Sequence, residues 1–276
     1  MNQVFMEEKE MRPNCVEKWM VVLGIFLIVA VAGLFGPGVS PSYAADHYNL
    51  EEGLPVQVED ALPTAYRNRE VQGLIRWDHT KEGEERLRLE PRFEIGLWRN
   101  LEAEVAVPFN YGSAVDDKGI GDVEVSALYN FNQETLLYPA LAISGAAIFP
   151  TSDEGEGVDT RAKFIATKSI CRSALFHRLH LNVVWNHNTD ALPDERDDYY
   201  SAIIGYDRAI TADAFLILDL VREQQKEKDQ TYNLLEAGIR YQCNPLTVFT
   251  FGVGTGIGDD SPDFRVVVGF QRSLTF

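Results

Sequence analysis

Between Arg86 and Leu97 the apolar residues Leu87, Leu89, Phe93, Ile95 and Leu97 alternate with Arg86, Arg88, Glu90, Arg92 and Glu94. A period of two puts one set on each face of a β-strand, and no helix produces it. After a tight turn at Trp98-Arg99-Asn100 the next stretch sets Leu101, Ala103, Val105, Val107 and Phe109 against Glu102, Glu104 and Asn110, completing a hairpin. The signal returns in Val71, Ile75 and Trp77, in Val123 to Phe131, and in Leu141, Ile143, Ala147 and Phe149. Arg161 to Ile170 reads less clearly, because Lys168 falls on the apolar face and the register could slip. Leu179, Leu181, Val183 and Trp185 follow, then Ala202, Ile204 and Tyr206, then Ala214, Leu216, Leu218 and Leu220, whose facing is ambiguous. Leu235, Ala237, Ile239 and Tyr241 mark a tenth strand, and Phe249, Phe251 and Val253 an eleventh. In the last, Phe264, Val266, Val268, Phe270, Leu274 and the terminal Phe276 share one parity, with Arg272 the exception.

Short and long connections alternate, as in an even-stranded barrel of about twelve strands with short periplasmic turns and longer outer loops. The turns fall near 98–100, 132–138, 171–178, 209–212 and 243–245, the loops near 79–84, 112–121, 151–158, 188–198, 224–231 and 255–262. A soluble β-sandwich shares the alternation, but its second face is a polar surface; here that face repeats opposite charges strand after strand. The expected fold is therefore an all-β antiparallel transmembrane β-barrel over residues 69–276. Its expected lumen-lining residues are Arg86, Arg88, Glu90, Arg92, Glu94, Glu102, Glu104, Asp122, Glu124, Arg161, Lys163, Glu236 and Arg240.

The N-terminus changes the picture from fold to address. Lys18 precedes an uncharged apolar run from Trp19 to Phe35, then Gly36, Pro37, Gly38 and Pro41, and Ser42-Tyr43-Ala44 supplies the small residues of a signal-peptidase site. Residues 1–44 read as a signal peptide, with an uncleaved anchor as the alternative. Glu7, Glu8, Glu10 and Glu17 make the leading stretch net negative, which suggests that the true start is Met11. Residues 45–68 mix acids with Pro55 and Pro63; they lie in the lumen as a partial plug or, the favoured expectation, hang in the periplasm.

The full chain carries 42 acids against 25 bases; without residues 1–44, four acids and three bases fewer, it has 38 against 22. So acidic a chain is not a nucleic-acid binder. Cys171 and Cys243 make a single possible pair, not a disulfide framework.

The catalytic candidates are incomplete. Asn186-His187-Asn188 is followed by Thr189 where barrel phospholipases carry serine, and Asp78-His79 is a weak acid/base candidate. Gly252-Val253-Gly254-Thr255-Gly256 lacks the lysine and helix of a phosphate loop; it reads as strand glycine, a bend or a place for a bulky neighbour. The acidic stretch Asp190 to Asp198 lacks the ligand spacing of a calcium loop, though such loops can bridge lipopolysaccharide phosphates through divalent ions. No enzyme and no cofactor are expected.

Gly121-Asp122-Val123 opening a strand that ends Leu128-Tyr129-Asn130-Phe131, then Pro139-Ala140-Leu141-Ala142, then Phe149-Pro150-Thr151, resemble outer-membrane channels of the MetA-pathway phenol-degradation family. Gly53-Leu54-Pro55 through Glu59-Asp60-Ala61, with Arg69-Glu70, is similar to the entry into their first strand. The resemblance implies a transporter-like barrel of a Gram-negative outer membrane, linked in some members with uptake of aromatic or other hydrophobic compounds. Phe270, Leu274 and Phe276 resemble the C-terminal signal read by the barrel-insertion machinery. The expectation is a passive, porin-like channel embedded in lipid and lipopolysaccharide, its solute unnamed. A non-conducting structural or sensory barrel, or an outer-membrane enzyme, are the alternatives.

Overall fold

A computed structural model describes residues 48–274 apart from 117, 153–156 and 172–175. The expected signal peptide with its cleavage site, and the terminal Phe276, lie outside the described residues. The described chain is strand and connection throughout: β1 (Arg69–His79), β2 (Glu85–Trp98), β3 (Leu101–Ala106), β4 (Phe109–Gly112), β5 (Gly119–Ile120), β6 (Val123–Asn132), β7 (Ala140–Phe149), β8 (Asp159–Cys171), β9 (His177–His187), β10 (Asp198–Ala209), β11 (Ala214–Gln224), β12 (Thr231–Asn244), β13 (Thr247–Gly256) and β14 (Phe264–Ser273).

All strand pairings are antiparallel and follow chain order except that β2 pairs with both β3 and β4 and β3 pairs with β6; β1 pairs with both β2 and β14, so the sheet closes. Pro108, which has no N–H to donate, separates β3 from β4, yet both keep one register against β2 and form one stave. A one-residue shift at Gly121-Asp122 similarly joins β5 and β6. The fourteen segments are thus twelve staves, the expected architecture.

Side-chain parity gives the barrel its two faces. Phe93, Tyr129, Phe164, Leu181, Leu220, Ile239 and Phe251 stand exposed on the outside, while Gln72, Glu94, Lys163, Asn182, Asp207, Asp219 and Arg240 are buried inside. On neighbouring strands Phe251 is 52% exposed and Arg240 0%. Such an inversion is stable only with hydrocarbon against the outer face, the arrangement of a transmembrane barrel.

Lys168 keeps its outward parity, and the register of β8 against β9 shifts only beyond it, between Ser169 and Cys171. Lys168 lies near the short-turn end, where Nζ donates to Glu134 Oε1 at 2.6 Å and to the Thr135 carbonyl at 2.7 Å. Glu134 sits on the turn between β6 and β7. Burial pushes its carboxyl up, but hydrogen bonds from Lys168 and Ser169 outweigh that and hold it below the ordinary range. Cys243 is a free, exposed thiol. It sits on β12, four staves round the sheet from the β8 that carries Cys171, too far for a bridge.

Candidate functional site: the barrel lumen

The lumen is occupied. Residues 48–68 do not hang free below the barrel; they run inside it and return to the wall at β1. Tyr48 packs on Phe176 and Phe215 with ring centroids 5.0 and 4.9 Å away, pinning the entry at the short-turn end. Leu50, Val56 and Val58 then form a core with Ile203, Ile217, Val221 and Leu234; Leu54 packs on Leu74 and Val267; Ala61 packs on Leu128, Ala140, Ala142 and Ile165.

This segment is neither helix nor sheet, so its backbone polar groups need other partners. Some lie within the segment, where Gly53 N donates to the Val56 carbonyl and Asp60 N to that of Leu50, and wall side chains serve others. Val58 N donates to Asp219 Oδ2 at 2.9 Å, Glu59 N to Asn182 Oδ1 at 2.9 Å, and Ala61 N to Thr167 Oγ1 at 3.0 Å. In return Asn182 Nδ2 donates to the Glu59 carbonyl at 2.8 Å, Asn130 Nδ2 to that of Ala61 at 2.6 Å, and Arg240 Nη1 to that of Leu54 at 2.9 Å. Ion pairs add charge to the seam: Arg178 Nη1 lies 2.9 Å from Asp60 Oδ2 while also holding Asp207, and Lys163 Nζ pairs with Glu52 and Glu59.

Glycines on the inner wall make room. A Cβ on Gly205 would sit 2.5 Å from Val58 Cγ2, and one on Gly238 2.3 Å from Pro55 Cγ. Gly252, read from the sequence as a bend or a place for a bulky neighbour, is the latter: its Cβ would lie 2.5 Å from the Pro55 carbonyl oxygen.

Toward the long-loop end the lumen opens. A cavity of about 170 Å³ lies on the segment, its lining including Glu52, Gln57, Arg76, Arg88, Glu90, Arg161 and Glu223. One of about 230 Å³ adjoins it past Tyr199, and a third of about 320 Å³ lies among Asp78, Glu82, Glu84, Asp259 and Asp260 at the rim. The walls are charged but largely self-paired. Glu90 accepts from Arg88 Nε at 2.5 Å and Arg92 Nε at 2.7 Å, and Arg161 Nη1 donates to Glu124 Oε1 at 3.0 Å.

Of the residues expected to line the lumen, Arg88, Glu90, Arg92, Glu102, Glu104, Glu124, Arg161 and Lys163 meet around the first cavity. Glu94 is buried with Gln72 and Thr64, and Glu236 and Arg240 bond the segment's backbone. Arg86 lies higher, at the rim cavity. Asp122 is apart: it caps the β7–β8 loop, accepting from Thr151 N at 3.1 Å and Ser152 N at 3.0 Å. Arg178, Asn182, Asp207 and Asp219, absent from that set, hold the segment most directly; they share the inward parity that would have found them.

Phe270 is half-buried on the outer face of β14, and Leu274 N closes the seam by donating to the Arg69 carbonyl at 2.7 Å. The weak acid/base candidate fails on geometry. Asp78 faces inward, 2.6 Å from Arg265 Nε, while the next residue, His79, points the other way and stacks near Trp77. His180 does lie between Thr167 Oγ1, at 3.1 Å, and Asp207 Oδ1, at 3.4 Å. All three are buried, Thr167 Oγ1 already accepts from Ala61 N, and none lines the three cavities, so the trio is structural. In the loop after β9, burial of Glu195 is outweighed by hydrogen bonds from Leu192 N and Asn188 and by Lys226, which hold its carboxyl below the ordinary range.

No protein-family model and no curated protein matches the chain. Solved structures do. An outer membrane channel from Pseudomonas putida F1 superposes with a TM-score of 0.62 at 12% identity, covering 82% of this chain and 100% of that one. The NanC porin gives 0.53 at 12% identity, covering 75% and 100%. The KdgM porin, solved with disordered oligogalacturonate, gives 0.51 at 11% identity, covering 75% and 99%. The likeness is one of fold.

Proposed function

We propose that the protein is a passive channel for small solutes in a Gram-negative outer membrane, and that residues 48–68 close it from the periplasmic side. The observation that carries this reading is the inside-out barrel whose charged, cavity-bearing lumen opens toward the long loops and ends on a segment that is not part of the wall. The channel and porin folds it resembles support the class, and the quoted motifs support a place in the MetA-pathway phenol-degradation family. On this reading residues 1–44 are removed as a signal peptide, and the C-terminal Phe270, Leu274 and Phe276 are read by the insertion machinery. The charged residues around the first cavity line the solute path, outer-leaflet lipopolysaccharide surrounds the rim, and no chemistry is performed.

The close seating of the segment favours a second reading, a barrel that stays shut and serves a structural or sensory role. Conductance in planar bilayers separates the two, using residues 45–276 and the same chain lacking 48–66. A heat-modifiability gel shows that each is folded. The channel reading expects discrete steps that become larger or more frequent without the segment; folded but silent barrels in both cases refute it.

A further inference from the structure

At the corner where the segment meets β2 and β3, Glu51, Glu94 and Glu102 converge. One carboxylate oxygen of each lies within 4.8 Å of the other two, and all three side chains are buried. Carboxylates taken out of water together repel one another and favour a proton or a cation between them. The positive charge of Arg240 acts on Glu51, and its guanidinium also donates to the Leu54 carbonyl and Gln271.

Two further side chains point to what is held there. Gln72, 0% exposed, is aimed into the group with Nε2 2.6 Å from Glu94 Oε2, yet its Oε1 meets no donor. Asn49, 3% exposed, does the same at Glu51, with Nδ2 at 2.9 Å and Oδ1 without a donor. Two amide oxygens orphaned beside three carboxylates are a costly arrangement in a protein interior. As placed, each amide turns its nitrogen to a carboxylate; rotation about its last bond would turn the oxygen there instead, which suits a bound cation. Thr64 Oγ1, bonded to Glu94, adds another oxygen.

The donors are all oxygen, with no histidine or thiol, the preference of a hard cation; irregular geometry and several carboxylates suit calcium better than the strict octahedron of magnesium. The first cavity touches Glu51 and Glu102, which gives an ion a way in from the long-loop end. Asn49, Glu51 and Thr64 belong to the segment, Gln72, Glu94 and Glu102 to β1, β2 and β3.

We propose that Glu51, Glu94 and Glu102, completed by the amide oxygens of Asn49 and Gln72, form a calcium site that fastens the lumenal segment to the barrel wall. The site is independent of whether the barrel conducts.

The test is equilibrium dialysis of residues 45–276, folded in detergent micelles, against radioactive calcium with magnesium in excess. Thermal unfolding is followed in parallel with calcium or with chelator. We expect saturable binding of one ion per barrel, a midpoint raised by calcium, and loss of both effects in Glu94→Gln/Glu102→Gln. Asp259→Asn/Asp260→Asn at the rim should keep both. If the wall variant does not fold, Glu51→Gln on the segment replaces it, with the same loss expected. Absence of saturable binding to the wild type, or binding lost only in the rim variant, overturns the proposal. A barrel that binds calcium but never conducts sinks the channel reading alone.

Discussion

Arg178 is where the seating of the segment is most open to attack. Its guanidinium holds Asp60 on the segment, Asp207 on β10 and the carbonyl of Tyr48 at once, and both carboxylates are 0% exposed. Arg178→Met leaves two buried carboxylates without their cation, a loss of about 3–5 kcal/mol in comparable sites. Asp207 stays in the wall and keeps His180 at 3.4 Å, so its share is not relieved when the segment leaves. Asp60 escapes to water when the segment undocks, so about half the cost, roughly 1.5–2.5 kcal/mol, bears on docking alone and raises the undocked fraction about 10- to 70-fold. The reporter is Val58→Cys, at a position 1% exposed when docked, in residues 45–276 with Cys171 and Cys243 replaced by serine. Its maleimide labelling rate tracks the undocked population when docking is fast relative to reaction. Labelling should accelerate by that factor in Arg178→Met and fall back when Asp60→Asn removes the stranded charge. An unchanged rate in a barrel that still shows heat-modified mobility, or a rate that Asp60→Asn does not restore, refutes the reasoning.

Gly238→Val drives a side chain into Pro55, and overpacking of about 1–3 kcal/mol predicts a roughly 5- to 150-fold rise in the same labelling rate, with the wall intact. Phe251→Arg puts a cation on the lipid face of β13 and should destabilise folding into vesicles by about 2–4 kcal/mol in denaturant titration, whereas Ile257→Arg in the loop beyond should cost little. Glu134 is held ionised to lower pH in the folded barrel than in the unfolded chain. Its pair with Lys168 therefore stabilises fully at neutral pH and ceases to do so as acid protonates the folded-state carboxyl. Glu134→Gln should cost about 0.5 kcal/mol at pH 7, kept small by solvent screening, and that gap should close on acidification below the ordinary carboxylate range.

The wall was legible in the sequence because hydrocarbon outside and charge inside impose strict alternation, as Arg86 to Leu97 shows. Lys168 blurred it only because the partner that makes an outward lysine tolerable, Glu134, lies on another hairpin. The segment was not legible for a physical reason: Leu54, Val56 and Val58 alternate over only five residues, across Pro55, and so short a run does not say which wall residues they pack on. Its imprint was nonetheless present. The ambiguous facing of β11 arises because Phe215, Ile217 and Val221 are apolar on the inward side as well, where they meet the segment. Asp122 was misplaced in role because parity gives a face and not a height along the barrel axis.

The footprint of the segment carries a last consequence. Ile203, Ile217, Val221 and Leu234 are dry only while Leu50, Val56 and Val58 cover them. With the segment gone, one side of the bore becomes a greasy track, facing the ion-paired wall of Arg88, Glu90 and Arg92. The unplugged bore is then two-sided, able to wet a polar group on one flank while an apolar one slides along the other.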